Sequence, residues 1–207
     1  MKTVFKLFMA ALMAAPLIAS AQGVKAQYSE LNPPQPVDTD GKKIEVVEFF
    51  WYGCPHCYNL EPLIETWTKK LAPDVEFRRI PAVFNERWAY DAAIFYTFEA
   101  LGVLPKLHRP LFDAIHRDHL RTDDQKAMSE WLQKQGVEPK KFYDTLKSFG
   151  VQSKTRRAAQ LSVAYKIDGT PAMAVQGRYT VSADQGGSRE GMLDTVSYLV
   201  NMVRKGK

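Results

Sequence analysis

The sequence predicts an α/β fold interrupted by an all-helical insertion, and three observations predict it. Strand-like apolar runs at residues 44–50, 75–83 and 172–181 alternate with amphipathic helical stretches near both ends of the chain. Residues 85–167 carry helical periodicity almost throughout, with no good strand candidate. A Cys-x-x-Cys, formed by the only two cysteines in the protein, stands where the first strand passes into the first helix. The order reads strand, helix, strand, helical block, hairpin, helix. It divides the chain into 22–84, an inserted 85–167, and 168–207.

The chain has 207 residues, 45% of them hydrophobic and 12% aromatic, enough to bury a core. Residues 1–21 do not belong to that core. Lys2 and Lys6 precede an Ala-rich apolar run at 7–18, and Ala19-Ser20-Ala21 fits a small-x-small cleavage site, so a secretory signal peptide is expected. Val24-Lys25-Ala26 offers an alternative cleavage point. The net charge of +5 includes those two lysines, and the remaining basic residues are spread along the chain. Solvated surface is expected of them, with no nucleic-acid partner.

Taken in order, residues 22–40 form a polar, proline-bearing lead-in arm, with a place for an edge strand. Gly41-Lys42-Lys43 turns into the central strand at 44–50, whose alternation sets Ile44, Val46, Glu48 and Phe50 on one face and Glu45, Val47 and Phe49 on the other. Glu48, among apolar neighbours six residues before Cys54, is expected partly buried or at a strand end facing a site. Leu60, Leu63, Ile64, Trp67 and Leu71 stripe the next helix, with Glu61 and Glu65 on other faces and Pro62 expected to kink it. The insertion reads as a helix through Trp88, Phe95 and Phe98 stopped by Gly102, a short helix at 111–115, one capped by Asp123 or Asp124, one started by Pro139, and a last one at 153–165. Gln176-Gly177 then turns a hairpin, and a terminal amphipathic helix carries Met192, Val196, Leu199 and Val203.

Two cysteines three apart close too short a loop to constrain the unfolded chain, so a structural staple is disfavoured. Zinc is disfavoured too, because no second cysteine pair exists, and neither a metal nor a cofactor is expected. At a helix start the two side chains project to one face. Cys54, at the outer end, is expected exposed and open to attack by a thiolate, and Cys57, a turn deeper, shielded and resolving. Helix-terminal N–H groups and the helix dipole stabilise a Cys54 thiolate, and His56 adds a donor or positive charge. Pro55 suits the first helical turn. His108, His116 and His119 are read as surface or packing residues.

Val47-Glu48-Phe49-Phe50 leading into Cys54-Pro55-His56-Cys57-Tyr58, the distal Gly169-Thr170-Pro171-Ala172-Met173 and the helical block between them resemble the DsbA family of periplasmic thiol–disulfide oxidoreductases. The resemblance covers essentially the whole chain after the signal segment. It implies a thioredoxin-like fold with an inserted helical domain, and a Cys54–Cys57 disulfide donated to reduced, unfolded exported proteins and restored by a DsbB-type membrane quinone reductase. It also implies a cis Thr170–Pro171 peptide lying against the disulfide, with the Thr170 backbone pairing with an extended substrate. Glu48 matches the family's buried acid, which accepts a proton from Cys57, and Arg79 that acid's basic partner. Thr170 before the proline, in place of Val, and Trp51-Tyr52-Gly53 before the motif are particular to this chain and bear on partner preference.

The leading reading is therefore an exported, monomeric dithiol oxidase of the periplasm. A disulfide isomerase or reductase, and a chaperone-like binder of unfolded exported chains, stand as alternatives. The reduction potential separates the first two, and a Cys54→Ala variant separates the oxidase from the binder.

Overall fold

The structure is a computed structural model describing residues 27–39 and 41–206, so the expected signal peptide lies outside the described residues. Strands β1 (Ser29–Glu30), β2 (Ile44–Phe50), β3 (Val75–Pro81), β4 (Ala172–Val175) and β5 (Tyr179–Ser182) form one mixed sheet in the order β1-β5-β4-β2-β3. β2 is central, parallel to β3 and antiparallel to β4, and all seven of its residues are buried. A parallel neighbour requires a crossover. Helix α1 (Pro55–Thr68) supplies it, running as one element through Pro62.

Alternation along the strands separates two apolar layers. Val46, Met173, Val175 and Val181 pack with Leu60 and Ile64 of α1, and with Met192, Val196 and Leu199 of the terminal helix Arg189–Arg204. Val47, Phe49, Ala172 and Ala174 meet Ile94, Phe98, Leu107, Phe142 and Leu161 of the inserted helices in the other layer. The insertion thus shares a core with the sheet. Phe50 departs from the expected alternation: at the exit of β2 it joins this second layer, edge-on to Tyr52 and Phe95.

Between β3 and β4 lie α2 (Glu86–Ala100), α3 (Leu104–His116), α4 (Gln125–Lys134), α5 (Pro139–Leu146) and α6 (Phe149–Ala164). Asn85, Asp124 and Ser148 cap α2, α4 and α6 by accepting from first-turn N–H groups, which resolves the choice between Asp123 and Asp124. Two expectations need correction. The short helix at 111–115 is the end of α3, which starts seven residues earlier with Pro105 in its first turn and continues through Pro110. α6 begins at Phe149, because Ser148 supplies its cap. A one-turn helix, α7 (Ala183–Gly186), precedes the terminal α8 (Arg189–Arg204).

The hairpin turns as expected. Gln176 and Gly177, the first two of the three residues joining β4 to β5, have φ of 53° and 62°, both left-handed. Gly177 is also sterically fixed, since a Cβ there would lie 2.0 Å from the Gln35 carbonyl oxygen.

Candidate active site

β2 feeds the chain straight into the site. Residues 51–54 turn, with the Cys54 N–H donating to the Trp51 carbonyl at 3.0 Å. Cys54 becomes the N-cap of α1 and Pro55 its first residue. The first turn of a helix has N–H groups without intrahelical partners. One of them, from Cys57, donates to Cys54 Sγ at 3.4 Å. The Cys54 thiol donates to the Thr170 carbonyl at 3.2 Å, and the Thr170–Pro171 peptide beside it is cis. Both cysteines are free thiols here.

The two sulfurs are driven in opposite directions. Hydrogen bonding from the Cys57 side chain, opposed by burial and reinforced by Thr170 and by the Cys57 and His56 N–H groups, lowers Cys54 from 9.0 to about 5. Burial, then the neighbouring Cys54 sulfur and the charge of Glu48, push Cys57 well above its ordinary value. Cys54 is less open than expected: it is 6% exposed and Cys57 is 0% exposed, because the Thr170 loop lies against the outer sulfur. A cleft lined by His56, Asp168, Thr170, Pro171, Ser182 and Asp184 borders it. The His56 imidazole is exposed, and His56 contributes to the Cys54 thiolate through its backbone N–H.

Beneath the dithiol lies a buried charged floor. The parallel register sets Glu48 beside Arg79, and Arg79 Nε donates to Glu48 Oε2 at 2.9 Å. The same guanidinium donates from one nitrogen to both oxygens of Glu61, each at 3.1 Å. His108 Nε2 lies 3.2 Å from Glu61 Oε1, and His108 Nδ1 lies 2.9 Å from the Tyr52 hydroxyl. Glu48 and Glu61 are at most 1% exposed. One guanidinium therefore faces two buried carboxylates, and their environments differ. Burial, countered by Arg79 and reinforced by the Glu61 charge, raises Glu48 to about 8. For Glu61 burial is outweighed by hydrogen bonds and charge from His108 and Arg79, and its carboxyl stays below the ordinary 4.5. Burial holds His108 below 6.5.

Inserted helices also clamp the loop before Cys54. Trp51 Nε1 donates to buried Asp91 of α2 at 2.8 Å, and the indole stacks on Trp88 at 4.3 Å. The Tyr52 carbonyl lies 2.8 Å from His116 Nε2 of α3. Gly53 is required beneath the indole, since a Cβ there would come within 2.3 Å of the Trp51 ring.

Of the residues singled out in the sequence, Cys54, Pro55, Cys57, Thr170 and Pro171 gather at the rim, Glu48 and Arg79 form the floor, and the His56 ring stands at the cleft. Glu61 and His108 were not singled out as site residues: Glu61 is buried between α1 and α3, and His108, a packing residue among aromatic rings, is also its partner. Periodicity hides both, because Glu61 lies off the α1 stripe and meets a helix distant in sequence.

A dithiol at the start of a helix, entered from a central strand and faced by a cis-proline loop, defines a thiol:disulfide oxidoreductase of thioredoxin-like fold. The DSBA-like thioredoxin domain model matches residues 79–193. A thiol:disulfide interchange protein DsbA of Bordetella parapertussis is 46% identical over 200 residues, covering 95% of this chain and 94% of its own. Its counterpart in Azotobacter vinelandii is 44% identical over 178 residues, covering 86% and 83%. The crystal structure of Pseudomonas aeruginosa DsbA superposes with a TM-score of 0.82 at 39% identity, covering 87% of this chain and 94% of that one. The chain belongs to the DsbA family.

Proposed function

We propose that the protein is an exported dithiol oxidase acting in the periplasm, its signal peptide removed after Ala21 or Ala26, as a monomer whose unit 22–84 with 168–207 carries the insertion 85–167. The observation that carries this reading is the opposed environment of the two sulfurs, a stabilised Cys54 beside a disfavoured Cys57.

A thiolate of a reduced exported protein attacks Cys54 Sγ of the Cys54–Cys57 disulfide. The S–S bond breaks, the electron pair goes to Cys57, and a mixed disulfide forms at Cys54. Cys57 is a poor thiolate where it is buried, so it needs a proton as it leaves. Glu48 carries one at neutral pH, and once ionised it is close enough for its charge to act on Cys57. In the forward direction it donates that proton, and in the reverse direction it accepts it back. Arg79 keeps the resulting carboxylate tolerable in the interior. A second substrate thiolate attacks the substrate sulfur and expels Cys54, the better leaving group. Pro55 opens the helix whose N–H groups receive that charge, His56 supplies one of them, and Thr170 and Pro171 form the ledge for an extended substrate strand. A DsbB-type membrane quinone reductase restores the disulfide.

Equilibration with glutathione tests the reading. Thioredoxin's attacking thiol lies near 7 and its potential near about −270 mV. Two further units of thiolate stabilisation at about 30 mV each place this dithiol at about −210 mV or higher. A potential near thioredoxin's would favour a reductase instead.

A further inference from the structure

Arg79 is shared by two buried carboxylates, and something must decide which of them holds a proton. Each Glu61 oxygen accepts from Arg79, and Oε1 also faces His108 Nε2. Glu48 has one contact, through Oε2, and its buried Oε1 has no partner among the described residues. An unpartnered carboxyl oxygen in the interior is far better tolerated as neutral acid than as carboxylate. His108 comes from α3 of the insertion, is 7% exposed, and is packed edge-on among the rings of Phe50, Phe95 and Phe112. Facing a carboxylate, its Nε2 carries the hydrogen, and Nδ1 accepts from the Tyr52 hydroxyl.

We propose that His108 is a positioning residue for the redox reaction: by donating to Glu61 it keeps that carboxyl ionised, so that the proton of the pair resides on Glu48, beneath the dithiol. The inference rests on the reading of Glu48 as the proton partner of Cys57. The insertion thereby sets the chemistry of the floor as well as covering the sheet. All the ionisable neighbours agree with this placement. Arg79, Glu61 and Cys54 act on Glu48; His108 and Arg79 act on Glu61; Glu61, Arg79, Glu65 and the Tyr52 hydroxyl face His108. Arg79 reaches both carboxyls, with contacts to both oxygens of Glu61 and one of Glu48, and His108 adds to Glu61 a donor that Glu48 lacks.

The test is a carbon-13 carboxyl titration of the reduced full chain, with Glu48 and Glu61 assigned by E48Q and E61Q spectra. In the unsubstituted protein Glu61 titrates well below Glu48. His108→Phe keeps an aromatic ring among the three phenylalanines and removes the donor. The separation of the two midpoints is expected to shrink by about one pH unit, the size of one hydrogen bond to an ionised group. His108→Gln, which retains an N–H donor, restores at least half of it. The pH above which mixed-disulfide formation slows falls in His108→Phe and recovers in His108→Gln. An unchanged separation in folded His108→Phe overturns the inference. Should that variant not fold, His108→Leu carries the same test with the same outcomes. Glu48→Gln separates the two readings: if it leaves the pH profile of mixed-disulfide formation unaltered, the role of Glu48 fails, whatever the midpoints show.

Discussion

The rim and the floor of the site treat negative charge in opposite ways. At the rim, Cys54 sits on a helix end, where N–H groups and the Cys57 side chain converge on one sulfur. At the floor, a single guanidinium serves two carboxylates that are both withdrawn from water. Two residues separate Cys54 from Cys57, yet one thiol is pulled down and the other pushed up. Sequence proximity did not set these values. The helix end set one, and burial over a charged floor set the other.

Breaking the rim should give the largest effect. Cys54→Ala is expected to abolish oxidation of a reduced peptide, while Cys57→Ala keeps a reactive Cys54 that accumulates a mixed disulfide with glutathione, both read by mass spectrometry. Persisting oxidation in Cys54→Ala would remove the dithiol from the reaction. Breaking the floor comes next. Arg79→Met strands the buried Glu61 carboxylate and removes the donor to Glu48, and should cost about 3–5 kcal/mol, measured by urea unfolding. A loss under about 1 kcal/mol would mean that the floor is more hydrated than its burial indicates.

A smaller effect sharpens the contrast through pH. Cys54 titrates lower in the folded dithiol protein than unfolded, so it adds stability as pH rises from about 5 towards 9.0. Glu48 titrates higher folded than unfolded, so it removes stability as pH rises from 4.5 to about 8. In the dithiol protein the two slopes oppose each other between about pH 5 and 8. The disulfide form has no Cys54 thiol to titrate and keeps only the falling slope. The reduced form should therefore gain on the oxidised form by about 1.4 kcal/mol per pH unit through that window, read from paired denaturation curves. A difference that stays constant with pH would contradict the Cys54 assignment, and a disulfide form whose stability does not fall through that window would contradict the Glu48 one.

How much of this was legible in the sequence follows the same division. The cysteine side of the rim is local: a strand, a turn, a cysteine cap and a helix follow one another in residues 44–68, so composition and spacing suffice there, whereas Thr170 and Pro171 were placed against it through the family resemblance. Glu48 and Arg79 were paired through the family resemblance, and the parallel register of β2 and β3 sets them side by side. Glu61 and His108 were not paired. The apolar stripe of α1 shows where α8 packs and is silent on α3, whose start is obscured by Pro105 and Pro110. Trp51 and Asp91, 40 residues apart, are likewise joined only by the docking of α2. Local preference records capping and strand alternation, whereas the partner of a buried charge is fixed by long-range packing.

The most direct measurement is the titration of the Cys54 thiolate, followed by ultraviolet absorbance in the reduced protein, with Cys57→Ala as the assignment control. A midpoint near 5 is expected, with no second thiolate appearing until far higher pH. A midpoint between 8 and 9, the range of an ordinary cysteine at about 8.5, would contradict the account.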